Sequence, residues 1–128
     1  MLGGIAEGAT VIEGFLEGAD NLSTIGAFRA MGIVIERAGG VRPALKVLGK
    51  GLFGLREPED VIDAGNSGTT ARLITGILAA QPFFSVITGD ESLRTRPMRR
   101  VTAPLIEMGA AISGRKGGSL LPLAVNGA

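Results

Sequence analysis

The sequence predicts an α/β fold of repeated β-α-β-α-β-β units, with buried helices, outward-facing sheets and a truncated first unit. Three observations carry this expectation. First, the chain repeats itself: Met31-Gly32 returns as Met108-Gly109, 77 residues on, and Val11-Ile12-Glu13-Gly14 as Val86-Ile87-Thr88-Gly89, 75 residues on. Internal repetition takes precedence over other fold arguments, because each repeat marks one structural unit. Second, residues 60–80 (DVIDAGNSGTTARLITGILAA) pass from a strand-like start through a glycine-rich turn into an apolar segment of helical length. Third, Arg72 is the only charged residue in Ala71–Ala80, which describes a buried helix, whereas Ile33–Arg37 and Ile112–Lys116 are polar.

In chain order, Ala9–Leu16 reads as a strand, and Asp20 is the expected N-cap of a helix through Met31. Gly32 stops that helix, and Ile33–Arg37 and Ala44–Leu48 follow as a strand pair across Gly39-Gly40. Val61–Ala64 is the next strand, then come the turn Gly65–Thr70, the helix Ala71–Ala80 and the strand Phe83–Thr88. A polar loop leads to a helix from about Pro97 to Met108, where Pro104 removes one hydrogen bond and should kink or tighten the turn. Gly109 stops it, and Ala111–Gly114 pairs with Leu121–Val125 across Gly117-Gly118. Two folding units result, 1–58 and 59–128, both expected to belong to one larger domain. At the 75-residue offset Met1 corresponds to Gly76, so the first unit begins part-way into its first helix. The chain is therefore expected to be a truncated piece, with Met1 an internal methionine of a longer protein.

Composition removes several classes of function. At 128 residues the chain is at most one ordinary domain. A formal net charge of +1 gives no electrostatic basis for nucleic acid or a membrane surface as partner. Five Phe, with no Trp or Tyr, provide no stacking platform for single-stranded nucleic acid. The absence of Cys and His removes thiol nucleophiles, disulfides, Ser-His triads and the common zinc sites. No acidic cluster suggests a carboxylate metal site, and no cofactor is expected. Met1-Leu2-Gly3-Gly4 is not a signal-peptide start, and no apolar run reaches transmembrane length, so the expected location is cytoplasmic.

Two stretches could carry chemistry. A strand–turn–helix order at Gly65-Asn66-Ser67-Gly68-Thr69-Thr70 places unpaired N–H groups and the positive end of a helix dipole together, which is an anion site. The same spelling also suits an ordinary strand-to-helix turn, and neither a P-loop lysine nor GxGxxG is present. The second stretch is Gly89–Arg100, where Arg94, Arg96, Arg99 and Arg100 crowd a helix start marked by Pro97. Cations there oppose the helix dipole, which a bound anion would explain; a solvated charge patch, partly offset by Asp90 and Glu91, is the alternative. Arginine's planar fork suits two-point grip on carboxylate or phosphate.

GNSGTTAR followed by GDESLRTRPM resembles the EPSP synthase (5-enolpyruvylshikimate-3-phosphate synthase) family of enolpyruvyl transferases, and the likeness runs over essentially the whole chain. The resemblance implies a two-domain enzyme roughly three times longer, whose units bundle with helices inward and sheets toward solvent. It implies phosphoenolpyruvate and shikimate 3-phosphate as substrates, and glyphosate as an inhibitor at the phosphoenolpyruvate site. Gly68 and Arg96 match positions that contact phosphoenolpyruvate, and Asn66 and Thr69 match the shell that shapes that site. Arg72, Arg99 and Arg100 receive no role from the resemblance, and Ser67 and Thr70 are expected to be turn and N-cap residues. The family's lysine–serine–arginine stretch, serine–glutamine segment and opposing domain would belong to the remainder of the enzyme, missing from this chain. No residue here matches a catalytic position, so the isolated chain is expected to be inactive. Two alternatives stand beside this: UDP-N-acetylglucosamine enolpyruvyl transferase, whose characteristic cysteine is absent, and a non-catalytic anion-binding module.

Overall fold

The structure, a computed structural model, describes residues 1–13, 19–38, 44–51 and 54–126. Strands β1 (Glu7–Glu13), β2 (Val34–Ala38) and β3 (Ala44–Lys50) form an antiparallel sheet in the order β1-β3-β2. Strands β4 (Ile62–Asp63), β5 (Phe84–Thr88), β6 (Ala111–Gly114) and β7 (Leu120–Asn126) form a second sheet, ordered β4-β5-β7-β6. In it β4 runs parallel to β5, while β5–β7 and β6–β7 are antiparallel. Helices α1 (Leu2–Ile5), α2 (Ala19–Ala30), α3 (Gly68–Ala79) and α4 (Arg99–Glu107) complete the chain.

The repeat seen in the sequence is physical. Ile35 lies opposite Val47 and Ile112 opposite Val125, the same register in both sheets. Both connections out of a helix use the same bonds: Gly32 N–H donates to the Arg29 carbonyl, and Gly109 N–H to the Ile106 carbonyl, each at 3.0 Å. Ile33 N–H then reaches Phe28, as Ala110 N–H reaches Leu105. Gly32 (φ 87°) and Gly109 (φ 100°) sit in the left-handed region that closes such helix ends. Beside β1, no parallel strand corresponding to β4 is present among the described residues.

Each strand alternates, so one sheet face meets the helices and the other meets water. In β7, Leu121, Leu123 and Val125 are buried, and in β3, Leu45 and Val47. These residues pack with Phe28 of α2, Met31 beyond its end, Ile74 and Leu78 of α3 and Ile87 of β5 in one core. Each such side chain contributes about 1.5–3 kcal/mol through apolar burial. Glu36, Arg37 and Ser113 face outward. The helices are thus the inner layer, as the polar strands implied.

Several boundaries differ from expectation. The helix after the glycine turn starts at Gly68, three residues early, because the Ser67 side chain caps it. It is also not buried all round: Leu73 is 55% exposed, leaving one apolar face open. Pro97 is not the first residue of α4. The segment before it closes a 3-10 turn, Leu93–Thr95, and buried Met98, whose N–H donates to the Ser119 carbonyl at 2.7 Å, takes the cap position. α4 continues through exposed Pro104, whose carbonyl accepts the Met108 N–H at 3.1 Å. α2 begins at Ala19, so Asp20 lies inside it rather than at its cap. Gly14–Leu16 of the first expected strand and the Gly39-Gly40 connection lie outside the described residues. Lys116, Gly117 and Gly118, all with positive φ, form the tight connection ahead of β7.

Candidate functional site

The site grows from the end of β4. Ile62 is buried and Asp63 exposed, and the Asp63 carboxylate accepts the Gly65 N–H at 2.8 Å, bending the chain out of the strand. Gly65 turns with φ 58°, and Ser67 then caps α3: its Oγ accepts the Thr70 N–H at 3.0 Å and donates to Thr70 Oγ1 at 2.7 Å. Thr70 Oγ1 lies 2.8 Å from Thr24 Oγ1 of α2, so the first unit braces the turn of the second. The geometry of a helix start leaves the Gly68 and Thr69 N–H groups without intrahelical acceptors, at the positive end of the dipole.

The loop after β5 closes over this turn. Asp90 N–H donates to the Gly65 carbonyl at 2.7 Å, and the Asp90 carboxylate accepts the Leu93 N–H at 2.8 Å. Asn66 Nδ2 donates to both Asp90 oxygens, at 2.9 and 3.1 Å, and Arg96 Nη2 donates to Asn66 Oδ1 at 2.9 Å. The Leu93 N–H, then the Asn66 amide and the Arg96 charge, hold the Asp90 carboxyl below the usual aspartate range, against a smaller opposing effect of burial.

Gly68 sits where two guanidinium groups converge. A Cβ built on it would collide with Arg72 Nη1 and stand 3.4 Å from Arg96 Nη1. Arg72, one helical turn beyond Gly68, also donates Nη2 to the Pro97 carbonyl at 3.1 Å, joining α3 to the loop before α4. Of the expected site residues, the fold brings Asn66, Gly68 and Arg96 together, while Thr69 lies alongside with an exposed side chain. The four-arginine cluster splits. Arg94 donates Nε to the Asp90 carbonyl oxygen at 3.4 Å, and Arg99 and Arg100 are exposed on the first turn of α4. Sequence reasoning gave Arg72 no part here. Its i+4 spacing from Gly68 was the available signal, because residues four apart share a helix face.

Chemically, this corner can hold an anion between two guanidinium groups and the free N–H groups of a helix start. Acid–base groups are less evident. The Asp60 and Asp63 carboxylates accept the Val61 and Gly65 N–H groups, and Glu107 is exposed at the far end of α4.

The sequence model for EPSP synthase (3-phosphoshikimate 1-carboxyvinyltransferase) matches residues 1–128. The chain belongs to the EPSP synthase family. Among EPSP synthases, the 3-phosphoshikimate 1-carboxyvinyltransferase of Pelotomaculum thermopropionicum is 62% identical over 127 residues, covering 99% of this chain and 29% of that protein. The enzyme of the same name from Geobacter metallireducens is 58% identical over the same share. The solved EPSP synthase of Acinetobacter baumannii superposes with a TM-score of 0.91 at 46% identity, over 98% of this chain and 28% of that one. The chain thus spans under a third of the length of the EPSP synthases it matches. These likenesses do not favour UDP-N-acetylglucosamine enolpyruvyl transferase.

Proposed function

We propose that this chain is the part of an EPSP synthase that grips phosphoenolpyruvate while its enolpyruvyl group is transferred to shikimate 3-phosphate. The observation that carries the proposal is the convergence of Arg72 and Arg96 on Gly68, which lacks a Cβ, at the start of α3. Phosphoenolpyruvate carries a carboxylate and a phosphate, and both are matched by planar guanidinium donors and helix N–H groups. In this proposal Gly68 and Arg96 contact the substrate, and Arg72 adds a second guanidinium. Asn66 sets the direction of Arg96, and Thr69 borders the corner. Adding a hydroxyl across the enol double bond and expelling phosphate requires a proton to be moved each way. No carboxylate of this chain is assigned that work, so the remainder of the enzyme supplies it and the isolated chain is inactive. The reaction is proposed to be cytoplasmic; no helix among the described residues is long and apolar enough to cross a membrane.

The test uses a complete enzyme carrying this segment and the variant Gly68→Ala. Gly68 is helical with no positive φ, so alanine strains no backbone. Its methyl instead enters the corner and displaces the Arg72 guanidinium. Glyphosate, slightly bulkier than phosphoenolpyruvate, is expected to lose more affinity than the substrate, with the melting temperature little changed. An unchanged ratio of the two affinities would overturn the site assignment.

A further inference from the structure

We infer that Asp90 is a positioning residue for phosphoenolpyruvate, acting on Arg96 through the side-chain amide of Asn66; this rests on the site proposed above. The two ends of the Asn66 amide have nearly the same shape and opposite hydrogen-bonding character. An ionised carboxylate only accepts and a guanidinium only donates. With Asp90 on one side, at 2.9 and 3.1 Å, Nδ2 must face it, and Oδ1 must then face Arg96, where it accepts at 2.9 Å. The orientation of Asn66 is therefore dictated from both ends, and Arg96 is drawn toward Gly68 rather than into solvent. Asp90 is itself fixed: its N–H holds the Gly65 carbonyl at 2.7 Å, and its carboxylate takes the Leu93 N–H at 2.8 Å. One residue thereby ties the glycine turn to the loop carrying Arg96.

A simple charge effect makes the opposite prediction. A carboxylate near an anion site repels the anion, so neutralising it should tighten binding. A carboxylate that aims the arginine should weaken binding when neutralised, because an amide at position 90 can offer Asn66 a donor and turn its NH2 group toward Arg96.

The experiment measures dissociation constants for phosphoenolpyruvate and shikimate 3-phosphate in a complete enzyme carrying this segment. The variants are Asp90→Asn, Asn66→Ala, Arg96→Lys and the double variant Asp90→Asn/Arg96→Lys. Asp90→Asn is expected to weaken phosphoenolpyruvate about tenfold, the scale of one charge-assisted hydrogen bond, and to leave shikimate 3-phosphate unchanged. Asn66→Ala should reproduce that loss, and it stands in should Asp90→Asn not fold. The double variant should lose no more than Arg96→Lys alone, because one pathway carries both effects. Additive losses, equal losses for both substrates, or tighter phosphoenolpyruvate binding by Asp90→Asn would each overturn the inference. An unaltered phosphoenolpyruvate constant in Asp90→Asn, with a clear loss in Arg96→Lys, overturns the inference alone. An Arg96→Lys enzyme that binds phosphoenolpyruvate normally removes the proposed site itself, and the inference with it.

Discussion

Gly68, Arg72 and Arg96 carry the chemistry of this chain, and each does so through shape as well as charge. Arg96→Lys retains the charge and loses the planar fork, so it cannot both take the Asn66 oxygen and face an anion. The expected loss of phosphoenolpyruvate affinity is about 1–3 kcal/mol, read by titration of a complete enzyme. Asp90 predicts a pH dependence. Its carboxyl is held below the ordinary aspartate range, first by the Leu93 N–H and then by Asn66. A depressed folded pKa stabilises the fold above the unfolded value, near pH 4, and that contribution disappears as pH falls through the folded value. Stability curves of wild type and Asp90→Asn should therefore differ near neutral pH and converge toward about pH 3. A difference that persists unchanged into acid would contradict the carboxylate's role.

At the scale of elements, the start of α3 is held by hydroxyl groups rather than by its apolar face alone. Ser67→Ala removes the cap on the Thr70 N–H and a donor to Thr70 Oγ1, both buried. The expected cost is about 1 kcal/mol, measurable as a lowered urea midpoint, and an unchanged midpoint would mean that packing alone starts the helix. What was legible in the sequence follows from the same physics. Repeats, glycine stops and alternating strands are local signals, so the element order and the pairing of β2 with β3 and β6 with β7 could be read directly. Pro97 was misplaced because its position depends on the Met98 N–H reaching Ser119, 21 residues away, a contact that no local preference announces. Arg96 stood out by its neighbours in sequence. Arg72 and Asp90 act across the α3–loop junction, and Thr24 reaches the turn from the other sheet's helix, so their partners exist only in three dimensions.

At the scale of the whole molecule, the chain has more apolar surface than its two sheets cover. Leu73 on α3 and Met108 beyond α4 are 55% and 82% exposed, and Val11 on the edge strand β1 is 59% exposed. An unpaired edge and an open apolar face both favour association. The isolated chain should therefore self-associate with rising concentration in sedimentation experiments, and a dilute monomer with a sharp, reversible unfolding transition would count against this. We propose that 1–58 and 59–128 act as two units of one larger domain, bridged by Glu57, whose carboxylate accepts the Phe84 N–H at 3.1 Å. The most direct test of the central claim is enolpyruvyl transfer by an enzyme in which residues 1–128 replace the matching segment of the Pelotomaculum thermopropionicum relative. Phosphate released from phosphoenolpyruvate in the presence of shikimate 3-phosphate is the readout, with the isolated chain measured beside it. The account predicts turnover by the graft, none by the isolated chain, and a raised KM for phosphoenolpyruvate when Arg96 becomes lysine. A folded graft that binds shikimate 3-phosphate yet releases no phosphate would contradict it.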